Sequence, residues 1–352
     1  MNIRRLMSLF ALASAAVSAH AGQVVPVYSY PDPALFAVKY GDFYSFSMPI
    51  LSSYARGYSE SSVQQFGNGD PYYINTANVI GGALVVGTGA GGNQNNQDLG
   101  LTGYVQDGYD FPNLTGNDTG SFSTDTATDP GPADATYNKA GTWDIQLSAL
   151  REYLTVSGTQ YDLVAYFNNN QQKRTVEANN LWAYAEVILT DVDGNGGTKT
   201  LKFTNPASGH TDSDGNNYVL SGGPVTLCFD WADPTKTGNN DARVEVPCSG
   251  AHAMESTYEH NLGQNDVAYG LISDELNQVL LDTGSVYDLM SIRVRFDALN
   301  NGYENLYLAA ACINRDCGGD NNVPEPGTLS LLAAGLFGLS AGWVTHRKSH
   351  SS

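Results

Sequence analysis

The sequence predicts a mainly β fold: an antiparallel β-sandwich, jelly-roll-like, with long loops and one or two short helices. Three observations predict it. Aromatic and β-branched runs recur between clusters of Gly, Asn, Asp and Pro, as strands alternate with turns. The 352 residues include 38 Gly and 21 Tyr but only 15% charged residues, unlike a long-helix or coiled-coil composition. No repeat of fixed period is visible, which disfavours propellers and solenoids and leaves a sandwich. Two smaller β domains divided near residues 125–140 are the alternative.

The elements follow in order. Tyr40–Met48 and Asn78–Val86 read as strands bounded by turn residues. Residues 87–141 are dense in Gly, Asn, Asp, Thr and Pro, so they read as a long exposed excursion or irregular edge. Strands are then expected at Thr142–Leu147, Tyr161–Asn168, Leu181–Thr190, Thr198–Phe203, Tyr218–Leu220, Val225–Trp231 and Arg243–Pro247. The clearest is Tyr287–Phe296, where Met290, Ile292, Val294 and Phe296 alternate with Ser291, Arg293 and Arg295, as on a half-buried antiparallel strand. Glu304–Ala310 reads as the last strand. Leu271, Ile272, Glu275, Leu276, Val279 and Leu280 follow helical spacing, with Glu275 the exception on the apolar face; Ala149–Leu154 is a weaker helix.

Composition bounds the function. With 41% apolar and 11% aromatic residues the chain can bury a core. Its 17 Lys and Arg against 36 Asp and Glu, with a pI near 4.4, exclude a basic nucleic-acid binder.

Both ends read as addresses. Residues 1–21 carry Arg4 and Arg5, an apolar run from Leu6 to Val17 and Ala19-His20-Ala21, the layout of a secretory signal peptide cut by signal peptidase between Ala21 and Gly22. At the other end, 327–344 is an uncharged stretch long enough for a transmembrane helix, followed by His346, Arg347 and Lys348. Directly before it stand Pro324, Glu325 and Pro326. This run, VPEPGTLSLLAAGLFGLSAGWVTHRK, resembles a PEP-CTERM sorting signal. The resemblance covers about residues 323–348, within a C-terminal segment 323–352, and implies an exported protein of a Gram-negative bacterium, recognised by an exosortase-type membrane protease. It further implies association with exopolysaccharide or biofilm. The chain would cross the inner membrane, be held transiently by its C-terminal helix, then reach the cell surface or the medium.

Between the signals lies the expected ectodomain, residues 22–322. Subtracting Arg4, Arg5, Arg347, Lys348 and Glu325 leaves 13 basic and 35 acidic residues, a net charge of −22. Such a surface keeps an exported protein soluble and attracts divalent cations. The four cysteines, Cys228, Cys248, Cys312 and Cys317, lie in this oxidising part. Of three possible pairings, 228–248 with 312–317 closes the shortest loops. The first bridge would stabilise by about 3 kcal/mol through chain entropy.

Catalytic motifs are sparse. Gly57-Tyr58-Ser59-Glu60-Ser61 lacks the second glycine of a nucleophile elbow, and no phosphate loop is present. His252, Glu255, Glu259 and His260 would place three groups on one face if helical, yet the intervening residues are poor helix formers. The candidate cofactor is calcium, at Asp191, Asp193 and Asn195. These occupy the first ligand positions of an EF-type loop, with Gly196 at the turn, but Lys202 stands where the bidentate carboxylate belongs. A hairpin turn explains the same residues. Asp212-Ser213-Asp214-Gly215-Asn216 is a weaker echo.

The expected function is therefore a non-catalytic surface or extracellular-matrix protein. A carbohydrate-binding sandwich, stacking sugars on Trp143, Trp182 or Trp231, is the alternative, followed by a carboxylate-dependent glycoside hydrolase. Mass analysis of the exported form is expected to give Gly22 as the first residue and a C-terminus within 324–327. An intact chain retaining 330–348 in the medium would contradict the processing expectation.

Overall fold

In chain order the strands are β1 (Tyr28–Tyr30), β2 (Val38–Tyr40), β3 (Phe43–Ser47), β4 (Leu84–Thr88), β5 (Tyr109–Asp110), β6 (Gly120–Ser123), β7 (Trp143–Gln146), β8 (Thr155–Val156) and β9 (Thr159–Gln160). They continue as β10 (Asp162–Asn168), β11 (Leu181–Thr190), β12 (Thr198–Phe203), β13 (Val219–Ser221), β14 (Val225–Asp230), β15 (Ala253–Tyr258), β16 (Val267–Ile272), β17 (Leu289–Leu299) and β18 (Asn305–Ile313). Helices are α1 (Pro33–Phe36), α2 (Met48–Ala55), α3 (Leu147–Tyr153) and α4 (Asp274–Leu281). The structure is a computed structural model and describes residues 27–55, 66–75, 83–89, 99, 101, 103, 108–114, 118–129, 136–171, 181–194, 196–221, 224–230, 253–263, 266–300 and 303–313.

Two sheets face each other. The larger runs β2-β3-β16-β10-β18-β4-β5, with β1 also beside β18; the smaller runs β12-β11-β17-β6, with β13 beside β11 and β7 beside β17. Three long strands carry this arrangement. β17 pairs along its length with β11, and its other edge takes β7 at 289–292 and β6 at 295–299. β11 takes β12 and β13 in the same way, and β18 takes β4 and β1.

The main core lies between the sheets. Met290, Ile292, Val294 and Phe296 of β17 and Leu181, Val187 and Leu189 of β11 meet Leu163, Phe167, Leu306 and Leu308 of the larger sheet. Phe296 is at its centre, with ring centroids 5.2 Å from Phe111 and 5.5 Å from Phe167. A second apolar cluster covers the opposite face of the larger sheet, where Phe46, Met48 and Leu51 pack with Val164, Tyr166 and Tyr307. The larger sheet is therefore buried on both faces, which explains why β18 is near-continuously apolar instead of alternating.

The mainly β, antiparallel expectation holds, with corrections. β1–β18 and β4–β5 are parallel pairs. Residues 87–141 are not simply an exposed excursion. They hold β5 and β6, and Tyr109, Phe111 and Phe122 are core residues. Glycine permits this approach: a Cβ on Gly87 would lie 2.2 Å from the Phe111 ring. The run 40–48 breaks into a hairpin at Gly41, whose φ of +61° and 2.2 Å Cβ approach to the Lys202 carbonyl exclude a side chain.

Four helices are described instead of one or two. Helix α2 follows from Ser47, whose Oγ accepts the Ile50 N–H at 3.2 Å. Leu271 and Ile272 belong to β16, not to the helix after it. Helix α4 begins at Ser273, which caps Leu276 N, and Asp274 and Glu275 suit its positive end. Arg151 of α3 donates to the carbonyls of Val279, Leu280 and Asp282, closing the other end of α4. Among the described residues no helix is long and apolar enough to cross a membrane. The signal peptide, 243–247 and the expected span at 327–344 lie outside them.

Phe296→Ala is expected to cost about 3–5 kcal/mol, because it opens a cavity bounded by both sheets. Urea denaturation of parent and variant measures it.

Candidate functional site: the outer face, the turns and the inter-sheet cavity

Alternation on β11 and β17 sends Trp182, Tyr184, Glu186, Arg293 and Arg295 to the side away from the core. Segment 204–218 folds over this face. Arg295 reaches Asp212 at 2.7 Å, Asp214 at 2.8 Å and Asp125 at 2.7 Å. Arg293 bridges Asp125 at 3.0 Å and Glu186 at 2.8 Å. Glu186 also meets Lys202 at 3.2 Å and accepts from the Tyr184 hydroxyl at 2.6 Å.

The charges follow from these contacts. Burial alone would raise the Asp212 carboxyl. Hydrogen bonds from the Asn216 side chain and backbone, Arg295 and the Asp214 N–H outweigh it and bring the pKa down to about 2. Glu186 is likewise lowered, burial being overcome by Tyr184, Lys202 and Arg293. Both carboxylates are thereby held as anions and tie the outer face together.

The weaker calcium echo is thus an Asp-capped turn. Asp212 Oδ1 accepts the N–H groups of Asp214 and Asn216, each at 2.9 Å. Asp191 behaves similarly in the β11–β12 hairpin. Its Oδ1 accepts Gly194 N–H at 3.1 Å and its Oδ2 accepts Gly196 N–H. Asp191 is buried and Asp193 exposed, while Asn195 lies outside the described residues. Among the described residues no group of three His, Cys, Asp or Glu side chains converges for a metal.

The histidine cluster is also rearranged. Residues 253–258 are strand β15, so the one-face helical grouping does not form, and His252 lies outside the described residues. His260 is instead buried against the larger sheet. Trp143 is fully buried in the core, and Trp182 stacks on His210 with centroids 4.4 Å apart and planes at 10°. Among the described residues these tryptophans form no exposed sugar platform, and Trp231 lies outside them. Cys312 is buried near the end of β18 and is disulfide-bonded. Cys248 and Cys317 lie outside the described residues, and of Cys228 only the backbone, in β14, is described.

Two fully buried carboxyl groups, Asp144 and Glu304, escaped the sequence reading. Asp144 is raised by burial, although Ser291, the Lys139 N–H and Thr142 all bond to it. Glu304 sits at the start of β18 and accepts from Gln171 Nε2 at 3.1 Å. Neither pattern nor spacing distinguishes them from the many surface acids.

Between the sheets, at the β2–β3–β16 side, lies a cavity of about 320 Å³. Side-chain size causes it. Ser45 and Ser47 on β3 and Ala183 and Ala185 on β11 leave the space open between the rings of Phe167, Phe203 and Phe296, which also line it. One end is polar: His260 Nε2 and Ser47 Oγ are 2.7 Å apart, and the imidazole stacks on Tyr269 with centroids 5.1 Å apart. Burial pushes the Tyr269 hydroxyl up, so it stays protonated. Ser47 Oγ also caps α2 by accepting the Ile50 N–H.

The pH dependence of stability follows from Asp212. Its folded pKa is depressed, so its contribution is complete above the unfolded value near 4 and disappears as pH falls toward 2. Asp212→Asn is expected to lower the melting temperature at pH 7 and to flatten the loss between pH 4 and 2. Melting curves across that range check it.

The family model described as Domain of unknown function (DUF8239) matches residues 28–295, from β1 into β17. The PEP-CTERM protein-sorting motif matches residues 322–348, as the Pro324-Glu325-Pro326 reading anticipated. No curated protein and no solved structure matches the chain. The motif marks an exported protein of the exosortase-sorted type. With the domain match extending over most of the sequence, the chain belongs to the DUF8239 family.

Proposed function

We propose that the protein is a non-catalytic component of the cell surface or extracellular matrix, delivered by exosortase-type sorting and acting alongside exopolysaccharide. The observation that carries this reading is the sorting motif at 322–348 joined to an acidic β domain. The outer face supports it. Its Asp125, Glu186, Asp212 and Asp214 carboxylates are tied to Arg293 and Arg295, an arrangement that braces a surface. The high negative charge favours hydration and solubility outside the cell over direct binding to an acidic polymer.

The test replaces Pro324, Glu325 and Pro326 together by alanine in a host that carries an exosortase. The parent is expected in the matrix fraction with its tail removed, and the variant in the membrane fraction with its tail intact. Deleting the gene is expected to reduce retained exopolysaccharide, with rescue by the parent but not by the variant. Unchanged exopolysaccharide retention in the deletion strain would defeat the matrix role.

A further inference from the structure

We propose that the inter-sheet cavity is a binding site for an uncharged amphiphile: a linear apolar chain carrying one hydroxyl or carbonyl head. The cavity's shape and polarity carry the proposal. Its volume of about 320 Å³ falls at the lower end of the range for small-molecule pockets, about 300–1,000 Å³. A fully packed sandwich would have closed it.

The polarity runs from one end to the other. Register pairs Ser47 with Tyr269 and Tyr269 with Phe167, so Ser47, Tyr269 and the stacked His260 share one end. Toward the other end stands Phe203, whose ring meets Tyr40 edge to face at 5.6 Å. A separate space of about 50 Å³, lined by Leu163, Leu276 and Met290, shares the Phe203 and Ala185 wall. With the His260–Ser47 pair at one end and a lining that is otherwise mostly apolar, the cavity suits a chain with one polar terminus.

The mouth and the charge complete the assignment. Val38, Leu220 and Val225 line the cavity yet are 56%, 42% and 40% exposed, an apolar rim that solvent meets directly. Among the described lining residues there is no Lys or Arg to hold an anion, and the chain as a whole carries −19. A carboxylate or phosphate head is therefore disfavoured, whereas a neutral head can exchange hydrogen bonds with the His260–Ser47 pair.

The experiment titrates the exported protein with 1-decanol, decane and decanoate below their aggregation limits, with displacement of Nile red as the readout. One decanol is expected per chain, at least tenfold tighter than decane or decanoate. Ala183→Phe and Ala185→Leu, which fill the space from β11, are each expected to weaken decanol binding at least tenfold with an unchanged far-UV circular dichroism spectrum. Independently of any variant, nuclear Overhauser contacts are expected between decanol and the rings of His260 and Tyr269. Non-saturable uptake, equal affinity for decane, absence of those contacts, or undiminished binding in a folded filling variant would each overturn the site. None of these outcomes bears on where the protein is sorted.

Discussion

The requirement that governs this fold is that the backbone of three long strands be paired on both edges. A buried strand cannot leave its N–H and C=O groups without partners. β11, β17 and β18 meet this with one long neighbour on one edge and two short ones in series on the other. Segments far apart in the chain are thereby drawn together. β6 and β7 extend the same edge, and the first described strand lies beside the last.

That arrangement decides which elements were legible. β11, β12 and β17 show alternation because one side meets the core and the other meets solvent or the Arg293–Arg295 network. The bounds of β11 and β12 were read directly. β16 was misread because it is covered on both faces, so Leu271 and Ile272 ran into the helical spacing of α4. β5 and β6 were missed for another reason. They are short, set among turn residues, and their worth lies in where Tyr109, Phe111 and Phe122 land across the sandwich, a long-range fact that local pattern does not contain.

The candidate sites divide similarly. The sorting signal was legible because its recognition depends on a linear run of residues. The two Asp-rich turns were legible as polar loops, yet the structure shows that their carboxylates serve backbone N–H groups and, at Asp212, Arg295. The cavity was not legible at all. It arises from a coincidence of small residues on β3 and β11, more than a hundred positions apart, and small residues on a strand carry no signal of an empty space opposite.

One consequence concerns force. The sorting motif begins a few residues after β18 ends, and β18 is interior to its sheet, flanked by β10 on one side and by β4 and β1 on the other. Tension applied through the C-terminal tail therefore enters the domain along the axis of a central strand. It loads the flanking ladders in shear, where many hydrogen bonds resist together, instead of peeling an edge strand bond by bond. A domain hung from β18 is suited to withstand hydrodynamic drag while its tail is held.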